Sequence, residues 1–371
     1  MKKLFKIAGI ALLSLIGLLL AIFLLARFVF REQAIDYLTG LEKQQRVELL
    51  RAAGPYAADT VQYRFTYKQD TVRAREIREY FRLDTLVNPA ATTWDNARAL
   101  AQFVARNIPH ANQKVQPETR NAIGLWEYTR TVEPAFNCRL HSILLHELLL
   151  SQGIVNRFVT CLPADSLDRD CHVVNLVWLP ECEKWAMIDS DMQSYVASPE
   201  GEALSLEEMR QRTVAGEPMT VHRLLGTRDP ENYLSYWAKN LYWFTCWEQT
   251  GYDKEVGYEG RAIALLPPGF EGFSLDESTV RTSDADRFWA APQPAGHPSI
   301  TTPTPGPWDS PQVVTRNKVP NVEPLIIYLK LLSFVSIRYT KSVYKMLFCI
   351  SYIILFRIIP PDTKHIVVFH N

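Results

Sequence analysis

The chain has no excess of either charge: 40 lysines and arginines stand against 40 aspartates and glutamates in 371 residues. That balance gives no electrostatic reason to bind nucleic acid. A calcium loop of the EF-hand type, a P-loop and a dinucleotide fingerprint are also missing, so no cofactor is expected. Cysteine is sparse, with six in all: Cys138, Cys161, Cys171, Cys182, Cys246 and Cys349. Their spacing fixes no disulfide connectivity. The simplest reading is that most are buried free thiols.

Both ends are atypical. Residues 7–26 carry no charge, a length that spans a bilayer as a helix. Lys2, Lys3 and Lys6 precede this run, and Arg27 and Arg31 follow it. The bias favours a cytoplasmic N-terminus and a body outside, on the periplasmic or extracellular face. No small-x-small cleavage site follows, which favours a signal anchor over a cleaved signal peptide. At the other end, residues 292–324 hold nine prolines and read as an extended linker. From Leu325 onward there is no Ala, Gly, Glu, Gln or Trp, and there are nine Ile. The apolar runs there are each too short to span a bilayer. A translated accident such as a frameshift is the favoured reading of 325–371, and a membrane-associated hairpin is the rival.

Between the ends, 33–88 reads as a mainly helical N-terminal region, with "VQYRFTY" as a short strand. "TTWDNARALAQFVARNI" predicts a helix capped by Thr93, with Ala97, Leu100, Ala101 and Val104 on its apolar face. Asn137 suits the N-cap of a helix opening at Cys138, with a stripe of Leu140, Ile143, Leu144 and Leu148 and a stop at Gly153. Strands are expected at "IVNRFVTCL", "CHVVNLVWL" and "KWAMID". A helix on an antiparallel sheet is an α+β layout. Ser205 and Glu208 form a capping-box pattern. "ENYLSYWAKNLYWFTCWEQTGY" reads as a helix buried on the main domain. The organisation is therefore 1–31 anchor or signal, 33–88 helical region, 89–200 core, 201–290 aromatic-rich extension, 291–324 linker and 325–371 tail.

Cys138 at a helix start faces unpaired backbone N–H groups and the positive end of the helix dipole, which favour thiolate over thiol. The downstream hairpin supplies a base and an acid. With the turn centred between Pro180 and Glu181, His172 faces Asp189. With all of "PECE" outside the ladder, His172 faces Asp191. The shift is even, so a carboxylate stays on the histidine's face. Only a bulge puts Ser190 there. Strands about 4.8 Å apart allow an imidazole–carboxylate hydrogen bond. A zinc site of Cys138, His141, Cys171 and His172 is disfavoured, because adjacent strand residues point to opposite faces. His141, one turn from Cys138, is a reserve base or a surface residue.

The ordered set "FNCRLHSILLHELLLSQGIVNRFVTC", "DCHVVNLVW" and "EKWAMID" resembles the transglutaminase-like superfamily over about residues 90–197. The matching positions are Cys138, Gly153–Ile154–Arg157, His172, and Trp185 with Asp189, with separations of 34 and 17 residues along Cys–His–Asp. Phe136 stands where many relatives have glycine, and Val173 and Val174 follow the histidine where many have a small residue and an aromatic. The resemblance implies a papain-like core and a Cys138–His172–Asp189 triad, with Asp189 preferred over Asp191. It further implies acyl transfer on amides of a peptide or protein through a thioester, as a peptidase, an amidase or a transglutaminase. The alternative is an inactive member serving as a binding module at the cell envelope. Nothing in the sequence sets the oligomeric state.

Overall fold

A computed structural model describes residues 2–28, 31–226, 232–253, 255, 260–273 and 275–292. The tail expected over 325–371, with Cys349, and the linker from residue 293 onward lie outside the described residues. Two helices open the chain, α1 (Lys2–Phe28) and α2 (Arg31–Ala52). After β1 (Thr66–Tyr67) come four helices: α3 (Thr71–Phe81), α4 (Thr93–Asn107), α5 (Ala122–Thr131) and α6 (Cys138–Ser151). Then follow β2 (Asn156–Leu162), β3 (His172–Leu179), β4 (Lys184–Ile188), β5 (Ser194–Ala197), α7 (Leu206–Ala215) and β6 (Thr220–Arg223). The last elements are α8 (Tyr233–Asn240), β7 (Trp243–Trp247), β8 (Gln249–Thr250), β9 (Ala262–Leu265), β10 (Val280–Thr282) and α9 (Ala285–Phe288).

The fold is α+β, built on a six-stranded sheet of order β10-β9-β7-β2-β3-β4. The sheet is mixed: β2, β3 and β4 pair antiparallel, while β10 runs parallel to β9. The long connection 266–279 gives the chain room to return to the same end of the sheet, which parallel pairing requires. The expected aromatic helix over 231–252 is a helix only to Asn240. Its remainder forms β7, an inner strand between β2 and β9. Trp243, Phe244 and Cys246 are buried there, as suits aromatic side chains on a pleated surface. Of "VQYRFTY", only Thr66 and Tyr67 pair, with Gln249 and Thr250.

The N-terminal transmembrane helix expected from residues 7–26 is not upheld. Among the described residues no helix is long and apolar enough to cross a membrane. The membrane partnership expected through that helix falls with it.

Each face of the sheet carries its own core, so the strands read as nearly continuous apolar runs. On one face Phe158, Val173, Val177, Ala186 and Ile188 pack with Leu140, Ile143, Leu144 and Leu148 of α6 and with α3, α4 and α5. On the other, Val159, Val174, Leu176, Trp185, Met187, Phe244 and Ile263 pack with Leu50, Met209, Trp237 and Phe288. Helix α6 is buried on all sides from Leu140 to Ser151, so its apolar stripe is only part of its contact surface. Truncating one such leucine, as in Leu144→Ala, costs about 2–5 kcal/mol.

Local signals set the helix ends. The Asn137 side chain accepts from the Leu140 N–H at 3.1 Å and fixes the start of α6. Gly153, at φ +74°, closes it, with its N–H on the Leu150 carbonyl at 2.9 Å. The cap of α4 is Thr92, which accepts from Asp95 N–H, one residue before the expected Thr93. The Ser205–Glu208 capping box is present at α7.

Candidate active site

Cys138 is the first residue of α6, half-buried, and His172 is the first residue of β3. Observed pairing sets Leu179 opposite Lys184 and Asn175 opposite Ile188, so "PECE" lies outside the ladder. That register, continued, would face His172 with Asp191. The chain leaves the ladder at Ile188 instead and folds into a tight loop, in which Asp189 and Ser194 exchange backbone hydrogen bonds at 2.9 Å each. Gln193 takes a left-handed φ of +55° to close it. Asp189 keeps the parity of Trp185 and Met187, which is the side of His172.

The result is a short, dry pair. His172 Nε2 and Asp189 Oδ2 stand 2.7 Å apart, with side chains 3% and 0% exposed. The Tyr233 hydroxyl donates to the same Oδ2 at 3.0 Å. The Met192 N–H donates to Oδ1 at 2.9 Å. Tyr236 and Trp237 of α8 set ring edges against the imidazole, with centroids 5.5 Å away. Burial opposes the charge on His172, yet the Asp189 carboxylate and the hydrogen bonds to Asp189 and Cys138 raise its pKa well above the usual imidazole value. Burial likewise pushes Asp189 up, but the His172 charge and the bonds from His172, Met192 and Tyr233 hold it below the ordinary carboxylate value. With Nε2 engaged by Asp189, Nδ1 is the ring nitrogen left for the thiol. The arrangement fits a nucleophile, a base and an orienting acid.

Asp191 sits elsewhere in the same cluster. His110 Nδ1 lies 2.8 Å from its Oδ1 and 3.0 Å from its Oδ2. His141 Nε2 lies 3.5 Å from Oδ1. His110 is brought in by the strand-like pairing of 109–111 with Phe136, where Ala111 N–H meets the Phe136 carbonyl at 2.8 Å. Gln113 ties the same loop down, its amide donating to the Ala111 and Ala135 carbonyls at 2.9 and 2.8 Å. His141 is neither a surface residue nor directed at Cys138: it is 1% exposed and turned to Asp191. Sequence reasoning missed His110 and Tyr233. No spacing rule links either to the hairpin, since both arrive through tertiary contacts.

A cleft of about 530 Å³ opens over the thiol. His110, Asn112, Cys138, His172, Arg223 and Tyr236 are among its walls. Cys171 also lines it. A slightly larger cavity, about 600 Å³ between α2, α7 and Trp289, contains neither thiol nor imidazole. One ligand atom each from Cys138, His172 and Asp191 lie within 4.8 Å of one another, a set that could also hold a metal ion. Cys138, Cys161, Cys171, Cys182 and Cys246 are free thiols.

No family model matches this sequence, and no curated protein matches it. One solved structure with partial likeness is that of a candidate cysteine protease from Cytophaga hutchinsonii. The two share 13% identity and a TM-score of 0.27, over 44% of this chain. The chain spans 56% of that neighbour's length. A likeness so slight decides neither fold nor chemistry, which rest on the geometry above.

Proposed function

We propose that the chain is a cysteine-dependent acyl-transfer enzyme acting on amide bonds of a peptide or protein, most simply as a hydrolase. The observation that carries this reading is the buried His172–Asp189 pair, 2.7 Å long, beside a thiol that opens a helix into a cleft. In the first step His172 Nδ1 takes the thiol proton and Cys138 Sγ bonds to the amide carbon. The carbonyl oxygen becomes an oxyanion. The Cys138 backbone N–H, at the open end of α6, is the nearest donor suited to it. The amine then leaves with the proton from His172, and a thioester remains. Water, deprotonated by the same imidazole, releases the acid and restores the thiol. An amine in place of water would make the reaction a transfer. Asp189 keeps the imidazole in one tautomer and balances its positive charge. The order and spacing of Cys138, His172 and Asp189, which resemble the transglutaminase-like pattern, support the same reading.

The test is alkylation of the full chain by iodoacetamide from pH 5 to 9, read peptide by peptide by mass spectrometry. The exposed Cys182 serves as an internal reference thiol. Expected is fast labelling of Cys138 at mildly acidic pH, outpacing Cys182, and lost in His172→Ala. Labelling of both cysteines that rises in parallel only at alkaline pH, unchanged by the substitution, would overturn the reading and leave the cleft as a binding site.

A further inference from the structure

Three donors of different chemistry converge on the wall of the cleft: the Cys138 thiol, the His172 imidazole and the Asp191 carboxylate. The geometry points to a site for one thiophilic divalent cation, zinc by the chemistry of its donors, that reversibly shuts off the proposed nucleophile. As regulation of that nucleophile the inference rests on the proposed function; the binding itself does not.

The donor set suits zinc, which takes sulfur, imidazole nitrogen and carboxylate oxygen at about 2.0–2.3 Å. Tetrahedral ligands at those lengths are about 3.5 Å apart. The three atoms here already lie within 4.8 Å of one another, so rotation of side chains closes the remainder. Calcium and magnesium prefer all-oxygen shells, which a thiol and an imidazole do not provide. Three protein ligands leave a fourth position facing the cleft for water.

Two further observations point to the same place. The first is the set of partners behind the ligands. A metal-binding histidine is usually held by a carboxylate on its other nitrogen, and Asp189 holds His172 Nε2 at 2.7 Å, leaving Nδ1 for the ion. A metal-binding carboxylate is usually itself hydrogen bonded, and His110 Nδ1 meets Asp191 at 2.8 Å. The second is His141. It is 1% exposed, and its Nε2 stands 3.5 Å from Asp191 Oδ1, so a second imidazole backs the carboxylate that would hold the ion.

Binding releases one proton whichever way the thiol and imidazole share it. A neutral pair loses the proton of the S–H, and an ion pair loses the proton of the imidazolium, in both cases to solvent. Once bound, the sulfur lone pair and His172 Nδ1 are both committed to the metal, so neither attack nor proton transfer proceeds. A chelator restores both.

The experiment uses the full chain with zinc chloride and with cobalt chloride. Expected are zinc binding with release of close to one proton, read from calorimetry in buffers of different ionisation enthalpy, and at least tenfold slower alkylation of Cys138, reversed by EDTA. The cobalt-loaded protein should show a thiolate-to-cobalt charge-transfer band that Cys138→Ser lacks. Asp191→Asn should weaken zinc binding at least tenfold. If that variant melts early, the cobalt band and its loss in Cys138→Ser carry the test. No protection of Cys138 at 100-fold excess zinc would overturn the site, as would a folded Asp191→Asn variant with unchanged affinity. The proposed function fails separately. An ordinary pH profile of Cys138 labelling in chelated protein would sink the enzyme while zinc still bound. An activated profile without zinc protection would sink only the metal site.

Discussion

Two histidine–aspartate pairs meet at one cleft, alike in length and unlike in surroundings. His172 and Asp189 are 2.7 Å apart, with side chains 3% and 0% exposed. His110 and Asp191 are 2.8 Å apart, but the His110 side chain is 58% exposed. In both pairs the carboxylate raises the histidine's pKa. For His110 the hydrogen bond to Asp191 is the leading cause, opposed by partial burial. What differs is the cost of losing a partner. A buried charge stripped of its counter-ion has no water to replace it, whereas an exposed imidazole does. Matching bond lengths therefore do not imply matching strength, and α8 makes the difference by roofing one pair with Tyr233, Tyr236 and Trp237.

The sharpest way to break the comparison is at the proposed orienting acid, Asp189. Asp189→Asn should lower turnover of a small activated ester by about 10⁴-fold, because the amide favours the wrong tautomer of the base. Asp191→Asn should lower it far less. Comparable losses in the two would mean that Asp191 is the orienter.

Stability comes next. Asp189→Ala should cost about 3–5 kcal/mol in urea unfolding, the usual penalty for stranding one member of a buried pair. The pH profile carries the same information. His172, raised above about 6.5, contributes stability that is complete below that value and is lost as pH rises through its folded pKa. Asp189, lowered below about 3.8, contributes stability that is complete above that value and is lost as pH falls through its folded pKa. The pair therefore stabilises fully between about pH 4 and 6.5, and Asp189→Ala should flatten both flanks. Unchanged flanks would contradict the pairing.

A smaller effect is expected at Tyr233→Phe. Removing the hydroxyl that donates to Asp189 at 3.0 Å should cost about 1–3 kcal/mol and leave the ring packing intact, measured by urea midpoint. The smallest is expected at His110, the exposed member of its pair. Because Gln keeps a donor for Asp191, His110→Gln should shift stability by less than about 1 kcal/mol, and the shift should shrink further in 1 M salt. A larger shift that ignores salt would mean the two pairs are energetically alike.

Much of this was legible before any coordinates. Asn137 announced the helix that presents Cys138, and Ser205 with Glu208 announced α7. Strand parity put a carboxylate on the face of His172 without knowing the turn. The expectation of a membrane helix at 7–26 did not hold. Trp243–Trp247 falls in a segment whose aromatics suggest a buried helix, and its pairing with β2 and β9 makes it a strand. His110 stayed hidden, since its partner Asp191 is 81 residues away, as did Tyr233, 44 residues from Asp189.

The sequence by itself determined where α6 begins, where it stops and which hairpin face His172 shares with a carboxylate. Those decisions rest on groups a few residues apart or on the two-residue period of a strand, so they need no knowledge of the rest of the chain. The family resemblance preferred Asp189 to Asp191, and the tertiary structure puts Asp189 in contact with His172. The ladder's register pointed to Asp191, but the chain breaks away at Ile188 into the loop closed by Ser194, and α8 then buries Asp189 against His172. That choice depends on the loop closed by Ser194 and on Tyr233, 44 residues from Asp189, contacts that a strand's two-residue period does not encode.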